Sequence, residues 1–325
     1  MSGFTWHGGR LAEARATYGG TDWIDLSTGI SPLTWPGADH IPVDWRALPD
    51  PQDLAALEAA AAAHFGVDPA HLCTMPGSET GLRLLSRILD MPGRWLTPSY
   101  RTHAEIFAQG RAMTPGEDAP QQAVALLLAN PNNPDGRILP PARLIEWLER
   151  LERAGGWLIV DEAYADAMPS CSMAGEVGEG RRLILLRSFG KFFGLAGVRL
   201  GFLIGPQEIV AKARRMLGEW PVSTAAIAFG RAAYEDHAWI EETIAALTKH
   251  AAELDAVLAR HGLTARGECP LFRLIELEDG PALFDRLARR AILTRPFEEN
   301  RRWLRLGLPG DTAALARLDR ALADD

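Results

Sequence analysis

Four short apolar runs constrain the fold of this chain more than any other feature: VALLLAN (124–130), WLIVDEAY (157–164), LILLRS (183–188) and RLGFLIG (199–205). Each is apolar on both faces, which suits a strand covered on both sides, and helical segments alternate with them. The pattern predicts an α/β fold with a mostly parallel central sheet flanked by helices. Residues 50–65, DPQDLAALEAAAAAHF, open with Asp50 as N-cap and Pro51 at the first helical position, and Gly66 closes them, so a helix is expected there. A second is expected over 141–153, where Leu144, Ile145, Leu148 and Leu151 share a face after Pro140.

From about residue 223 the pattern becomes helix-rich, then gives a strand candidate at 272–278, a helix near 281–290 and a further strand candidate at 303–308. The expected organisation is a large domain over 40–222 and a smaller α/β domain made of 1–39 and 223–325.

With 34 basic and 42 acidic residues, the net charge of −8 argues against a general nucleic-acid or anionic-membrane surface. An anionic ligand must be caught locally. Cys73, Cys171 and Cys269 are far apart and lack metal-site spacing, so neither a metal nor a disulfide framework is expected. The first twenty residues hold no continuous apolar segment, and no stretch approaches the roughly 20 apolar residues of a membrane span. A cytoplasmic protein is the expectation.

Ligands of open α/β sheets gather at the carboxyl ends of the strands. Here the runs end in NPNNPDG, DEAY and SFGK, which bring together Asn133, Asp161, Tyr164, Ser188 and Lys191, with Arg199 eight residues after the lysine. Lys191 stands among Phe189, Phe192 and Phe193 rather than polar neighbours. An amine with apolar surroundings and nearby cations loses affinity for its proton and becomes a nucleophile toward aldehydes. Residues 76–89, PGSETGLRLLSRIL, place a glycine turn before a helix, whose free Ser78 and Glu79 amides suit a phosphate. SFGK also matches the S-x-x-K of serine acylases, but no S-D-N or K-T-G element follows, and Gly190-Lys191 lacks the rest of a Walker motif.

In residue type, order and spacing, 130–136, 161–164 and 188–201 resemble the pyridoxal-phosphate enzymes of fold type I, the aspartate aminotransferase fold, and the likeness extends over nearly the whole chain. The resemblance implies pyridoxal 5'-phosphate as cofactor, with Lys191 bonded to its aldehyde and Asp161 paired with its ring nitrogen. It further implies that Tyr164 and Asn133 bond the ring hydroxyl, Tyr100 stacks on the ring, and Ser188, Arg199 and the amides of Ser78 and Glu79 take the phosphate.

Within that fold, HGGR (7–10), DLSTGISPLTWP (25–36), ILTRPF (292–297) and WLRLGLPG (303–310) look like the threonine-phosphate decarboxylases of cobalamin synthesis, relatives of the histidinol-phosphate aminotransferases. The likeness implies a small phosphorylated amino acid as substrate, its carboxylate on Arg305 and its phosphate on Arg295 and His7, with Ile30 and Asn133 also at the substrate. It also implies a homodimer. The family usually has Asn in place of Ser31, and often Tyr in place of Leu48, which in relatives reaches the phosphate of the partner subunit. An aminotransferase shares every cofactor residue and remains the alternative. A noncatalytic pyridoxal-phosphate-sensing module of a regulator is more remote, because the fold's first elements begin by residue 25 and leave no room for a DNA-binding domain.

Overall fold

The computed structural model describes residues 2–323. Two compact units share them: Thr34–Asn133 with Ile138–Glu241 make the larger, and the segments ending at Leu33, Pro134–Arg137 and those from Glu242 onward make the smaller.

The larger unit is built on a seven-stranded sheet. Its strands are β1 (Leu72–Met75), β2 (Gly93–Leu96), β3 (Gly110–Met113), β4 (Ala125–Ala129), β5 (Trp157–Asp161), β6 (Leu183–Ser188) and β7 (Gly201–Ile204), in the spatial order β1-β7-β6-β5-β4-β2-β3. Strands β3, β2, β4, β5 and β6 are parallel. The run at 199–205 differs: β7 is antiparallel to both neighbours, β1 and β6. Every residue of β4, β5 and β7 is buried, which is why these runs are apolar on both faces.

The helix at Pro51–Phe65 forms as expected, Asp50 Oδ1 accepting from the Gln52 amide at 2.7 Å and Gly66 closing it in the left-handed conformation. That at Pro141–Arg153 buries Leu144, Trp147, Leu148 and Leu151. On one face of the sheet, Leu82 and Leu85 from Ser78–Leu89 and Ile209 and Val210 from Gln207–Leu217 pack with Ile159, Ile184 and Leu186. On the other face, Phe65, Phe189, Phe193, Phe202 and Tyr234 form an aromatic cluster.

The smaller unit carries an antiparallel sheet of Arg295–Pro296, Trp303–Gly307, Phe272–Glu276 and Ala265–Arg266, in that order. Ile24–Asp25 pairs in parallel with Ile292–Leu293, and Gly280–Arg289 buries Leu283, Phe284 and Leu287. Among the described residues no helix is long and apolar enough to cross a membrane.

Candidate active site

Register aligns the candidate residues of the larger unit. Ala129, Asp161 and Leu186 are neighbours across β4, β5 and β6, while Ser188 faces Gly201 and Gly201 faces Met75. The chain segments leaving this row carry Asn133, Tyr164, Lys191 and Ser78.

Asp161 is 5% exposed. Its Oδ2 lies 3.1 Å from His103 Nε2, and its Oδ1 accepts from the Ala163 amide at 3.2 Å. His103 is fully buried. It was not among the expected residues: it lies 58 positions before Asp161 in the four-residue helix Thr102–Glu105, where no local motif marks it. Tyr100 packs edge-on against His103, ring centroids 6.0 Å apart, and burial together with the nearby Glu79 carboxylate pushes its phenol up to about 12. Tyr164 is buried, Asn133 half-buried, and the adjacent Asn132 donates to Pro98 O at 2.9 Å.

Lys191 sits half-buried in the helical turn Phe189–Phe192, immediately after Ser188 ends β6. Phe189 and Phe193 stack 4.5 Å apart in that turn and fix its orientation. Of the chain's three lysines, Lys212 is exposed and Lys249 pairs with Glu253 across a helix turn.

Arg199 adopts φ 57°, and its Nη1 donates to Ala196 O at 3.3 Å. Its guanidinium reaches the turn before Ser78: a Cβ on Gly77 would come within 2.7 Å of Arg199 Nη2, and one on Gly201 within 2.6 Å of Ser78 N. Glycine at these two positions lets the Gly77–Ser78 turn pack closely against β7 and the Arg199 guanidinium, which puts the Ser78 amide and a cation side by side. The Glu79 side chain is turned to Thr102 Oγ1, at 3.0 Å, and to Arg83. Among the described residues no group of His, Cys, Asp and Glu is arranged to hold a metal.

The smaller unit gathers a second set. Arg295 and Arg305 are direct cross-strand partners. Arg305 is 3% exposed, donates to Ser27 O at 3.2 Å and lies over the Phe272 ring; Arg295 lies over Phe297. The HGGR turn reaches the same Ser27: Gly9 N donates to its Oγ at 2.8 Å, and a Cβ on Gly8 would strike its carbonyl oxygen. Asp25 Oδ1 accepts from Ser27 Oγ at 2.6 Å and fixes the segment. His7 is exposed, with its ring on Gly8 O at 2.9 Å, Arg10 pairs with Glu13, and Ile30 is half-buried. Ser31, where Asn is usual, is buried with its hydroxyl on Leu33 O; Leu48, where Tyr is usual, is exposed.

The family model "Aminotransferase class I and II" matches residues 112–322. Threonine-phosphate decarboxylase of Pseudomonas aeruginosa is 42% identical, over 97% of this chain and 96% of that one. The chain belongs to the class I and II aminotransferase family. A threonine-phosphate decarboxylase of a Sinorhizobium species is 37% identical over 98% of this chain and 97% of its own. Histidinol-phosphate aminotransferase of Sinorhizobium meliloti, solved with pyridoxal-5'-phosphate, superposes with TM-score 0.82 at 22% identity, covering 96% of this chain and 93% of that one, a likeness of fold.

Members of this aminotransferase family are pyridoxal-phosphate enzymes, and the donor set fits that group. A buried carboxylate held by His103 can meet a cationic ring nitrogen, the Ser78 amide beside the Arg199 guanidinium can take a phosphate, and Lys191 supplies an amine.

Proposed function

We propose that this enzyme decarboxylates L-threonine O-3-phosphate to (R)-1-amino-2-propanol O-2-phosphate and carbon dioxide, using pyridoxal phosphate on Lys191, and so furnishes the side-chain amino alcohol of cobalamin. The observation that carries the reading is the opposed pair Arg295 and Arg305. Two guanidinium groups directly opposite one another suit a substrate with two anionic ends. The near full-length identity to two threonine-phosphate decarboxylases supports the same substrate class.

When bound, the cofactor supplies an electron sink for the pair left by the broken bond. The chain's residues do the rest. Asp161, oriented by His103, would hold the proton on the ring nitrogen. Tyr164 and Asn133 would bond the ring hydroxyl, Tyr100 would pack on the ring as a neutral phenol, and Ser78, Ser188 and Arg199 would anchor the phosphate. In this reading Arg305 would bind the substrate carboxylate, and Arg295 with His7 would bind its phosphate. Lys191 would hold the cofactor through its amine and, when free of it, would supply a proton to the substrate carbon that has lost carbon dioxide.

We also read the enzyme as a homodimer. The larger unit has a groove of about 700 Å³ beside Arg199, lined in part by Trp45, Pro49, Trp220 and Phe229. Trp45 and Trp220 are 76% and 57% exposed, an arrangement that suits burial against a second copy.

Borohydride reduction followed by peptide mass spectrometry tests the cofactor assignment: the adduct is expected on Lys191, and an adduct on Lys212 or Lys249 refutes it. A substrate panel tests the rest, with threonine phosphate alone turning over and threonine slow. Faster turnover of histidinol phosphate with an oxo-acid acceptor would replace this reading by an aminotransferase.

A further inference from the structure

Behind the cofactor anchors, the sheet carries a buried cluster of charge. Strand alternation sends Asp161, Leu186 and Ser188 to one face and Glu162 and Arg187 to the other. On that second face Arg187 Nη1 donates to Glu162 Oε2 at 2.6 Å, and Nη2 donates to Asp166. These three side chains are at most 4% exposed. Ser172 Oγ donates to Glu162 Oε2 at 2.7 Å, the Met173 amide to Oε1 at 2.7 Å, and His64 Nε2 lies 3.3 Å from Asp166. The Arg187 guanidinium covers the Phe65 ring at 4.4 Å.

The location of this cluster is what gives it meaning. The Glu162 amide donates to Leu186 O at 2.8 Å, the ladder bond at the C-terminal end of the β5–β6 pair. Past it the two chains part, one into the turns that carry Tyr164 and the other into the helical turn that carries Lys191. The ion cluster ties them at that level, and each anchor is one peptide bond away from it: Asp161 from Glu162, Ser188 from Arg187. A buried ion cluster is a weak source of net stability, since apolar side chains of the same volume serve as well. It does have narrow geometric demands, which makes it suited to setting a register.

We propose that Arg187 and Glu162 are positioning residues, which fix the separation of Asp161 from Ser188 and Lys191 and thereby set the ionisation and affinity of the cofactor without touching it. The proposal rests on the reading that pyridoxal phosphate is held by those anchors. Attraction between the Asp161 carboxylate and a ring cation changes steeply with distance in a poorly polarisable interior, so a small slip of β5 against β6 reaches the cofactor's proton equilibria.

The test compares wild type with Glu162→Gln, Arg187→Lys and Ser172→Ala, each saturated with pyridoxal phosphate and held well below its unfolding temperature. Visible absorbance is titrated against pH, and cofactor affinity is measured separately. Glu162→Gln and Arg187→Lys are expected to move the absorbance midpoint by about half a pH unit or more and to weaken cofactor binding about tenfold. Ser172→Ala, which removes the hydroxyl bonded to Glu162, Arg187 and the Ala174 amide but leaves the ion pair itself, is expected to move the midpoint in the same direction by less, and it decides the matter if the other two do not fold. Wild-type midpoints and affinities in every folded variant, with only the melting temperature lowered, overturn the positioning role. A wild-type protein with no visible band overturns the cofactor reading itself.

Discussion

Arg295 and Arg305 stand directly opposite one another in an antiparallel pair, so two guanidinium groups share one face of a small sheet in a chain of net charge −8. Their surroundings differ: Arg305 is buried against Phe272 and bonded to Ser27 O, while Arg295 is half-buried over Phe297. Arg305→Ala is expected to harm threonine phosphate and plain threonine alike. Arg295→Ala should chiefly harm the phosphorylated substrate, by about tenfold to a hundredfold in kcat/KM, because the site loses a charge-assisted contact to phosphate. Measured kcat/KM for both substrates decides it, and the inverse pattern exchanges their roles.

Asp161→Asn keeps the shape of the side chain and removes its charge. The barrier should rise by about 2–3 kcal/mol, roughly 30- to 150-fold in kcat, while some cofactor binding survives. Near wild-type turnover would make Asp161 a structural residue.

His103 bonds the same carboxylate from full burial. His103→Leu removes that bond and leaves Asp161 with the Ala163 amide. A loss of about tenfold in kcat is expected, with a shifted pH profile, and His103→Gln should recover part of both. Single-turnover rates across pH check this.

Gly201→Ala would set a methyl group 2.6 Å from Ser78 N and so push aside the turn whose amide is assigned to the phosphate. Cofactor affinity should fall at least about tenfold, with far smaller loss for the phosphate-free pyridoxal. Equal losses for the two would remove the phosphate from this position.

Burial pushes the thiols of Cys73 and Cys269 up to about 12. An unfolded thiol ionises near pH 8.5, so the unfolded chain sheds these protons first and stability should fall as pH rises from about 9 to 12, by about 1.4 kcal/mol per pH unit per thiol. Below pH 8 the contribution is complete. Denaturant titrations at pH 8, 9 and 10 check this, and Cys73→Ala with Cys269→Ala should flatten the decline.

The legible parts of the sequence were those where polarity changes sharply along the chain. NPNNPDG, DEAY and SFGK stand out because each ends an apolar run, and the sheet brings those ends into one row. Three strands of the seven-stranded sheet were not read: Leu72–Met75, Gly93–Leu96 and Gly110–Met113 span four residues each, and GRWL and GRAM mix charge with apolar side chains. The direction of Gly201–Ile204 was hidden as well, since burial on both faces looks the same in a parallel and an antiparallel strand. His103 and the Arg187–Glu162–Asp166 cluster depend on partners far apart in sequence. Arg187 reads as the polar end of LILLRS, although it is 3% exposed.

The most direct measurement follows the carboxyl carbon. L-threonine O-3-phosphate labelled at that carbon, given to the holoenzyme with no amino acceptor, should release the label as carbon dioxide in step with aminopropanol phosphate, turn after turn. Retention of the label in a 2-oxo acid, formed once per enzyme unless an acceptor is added, would contradict decarboxylation and make the enzyme an aminotransferase.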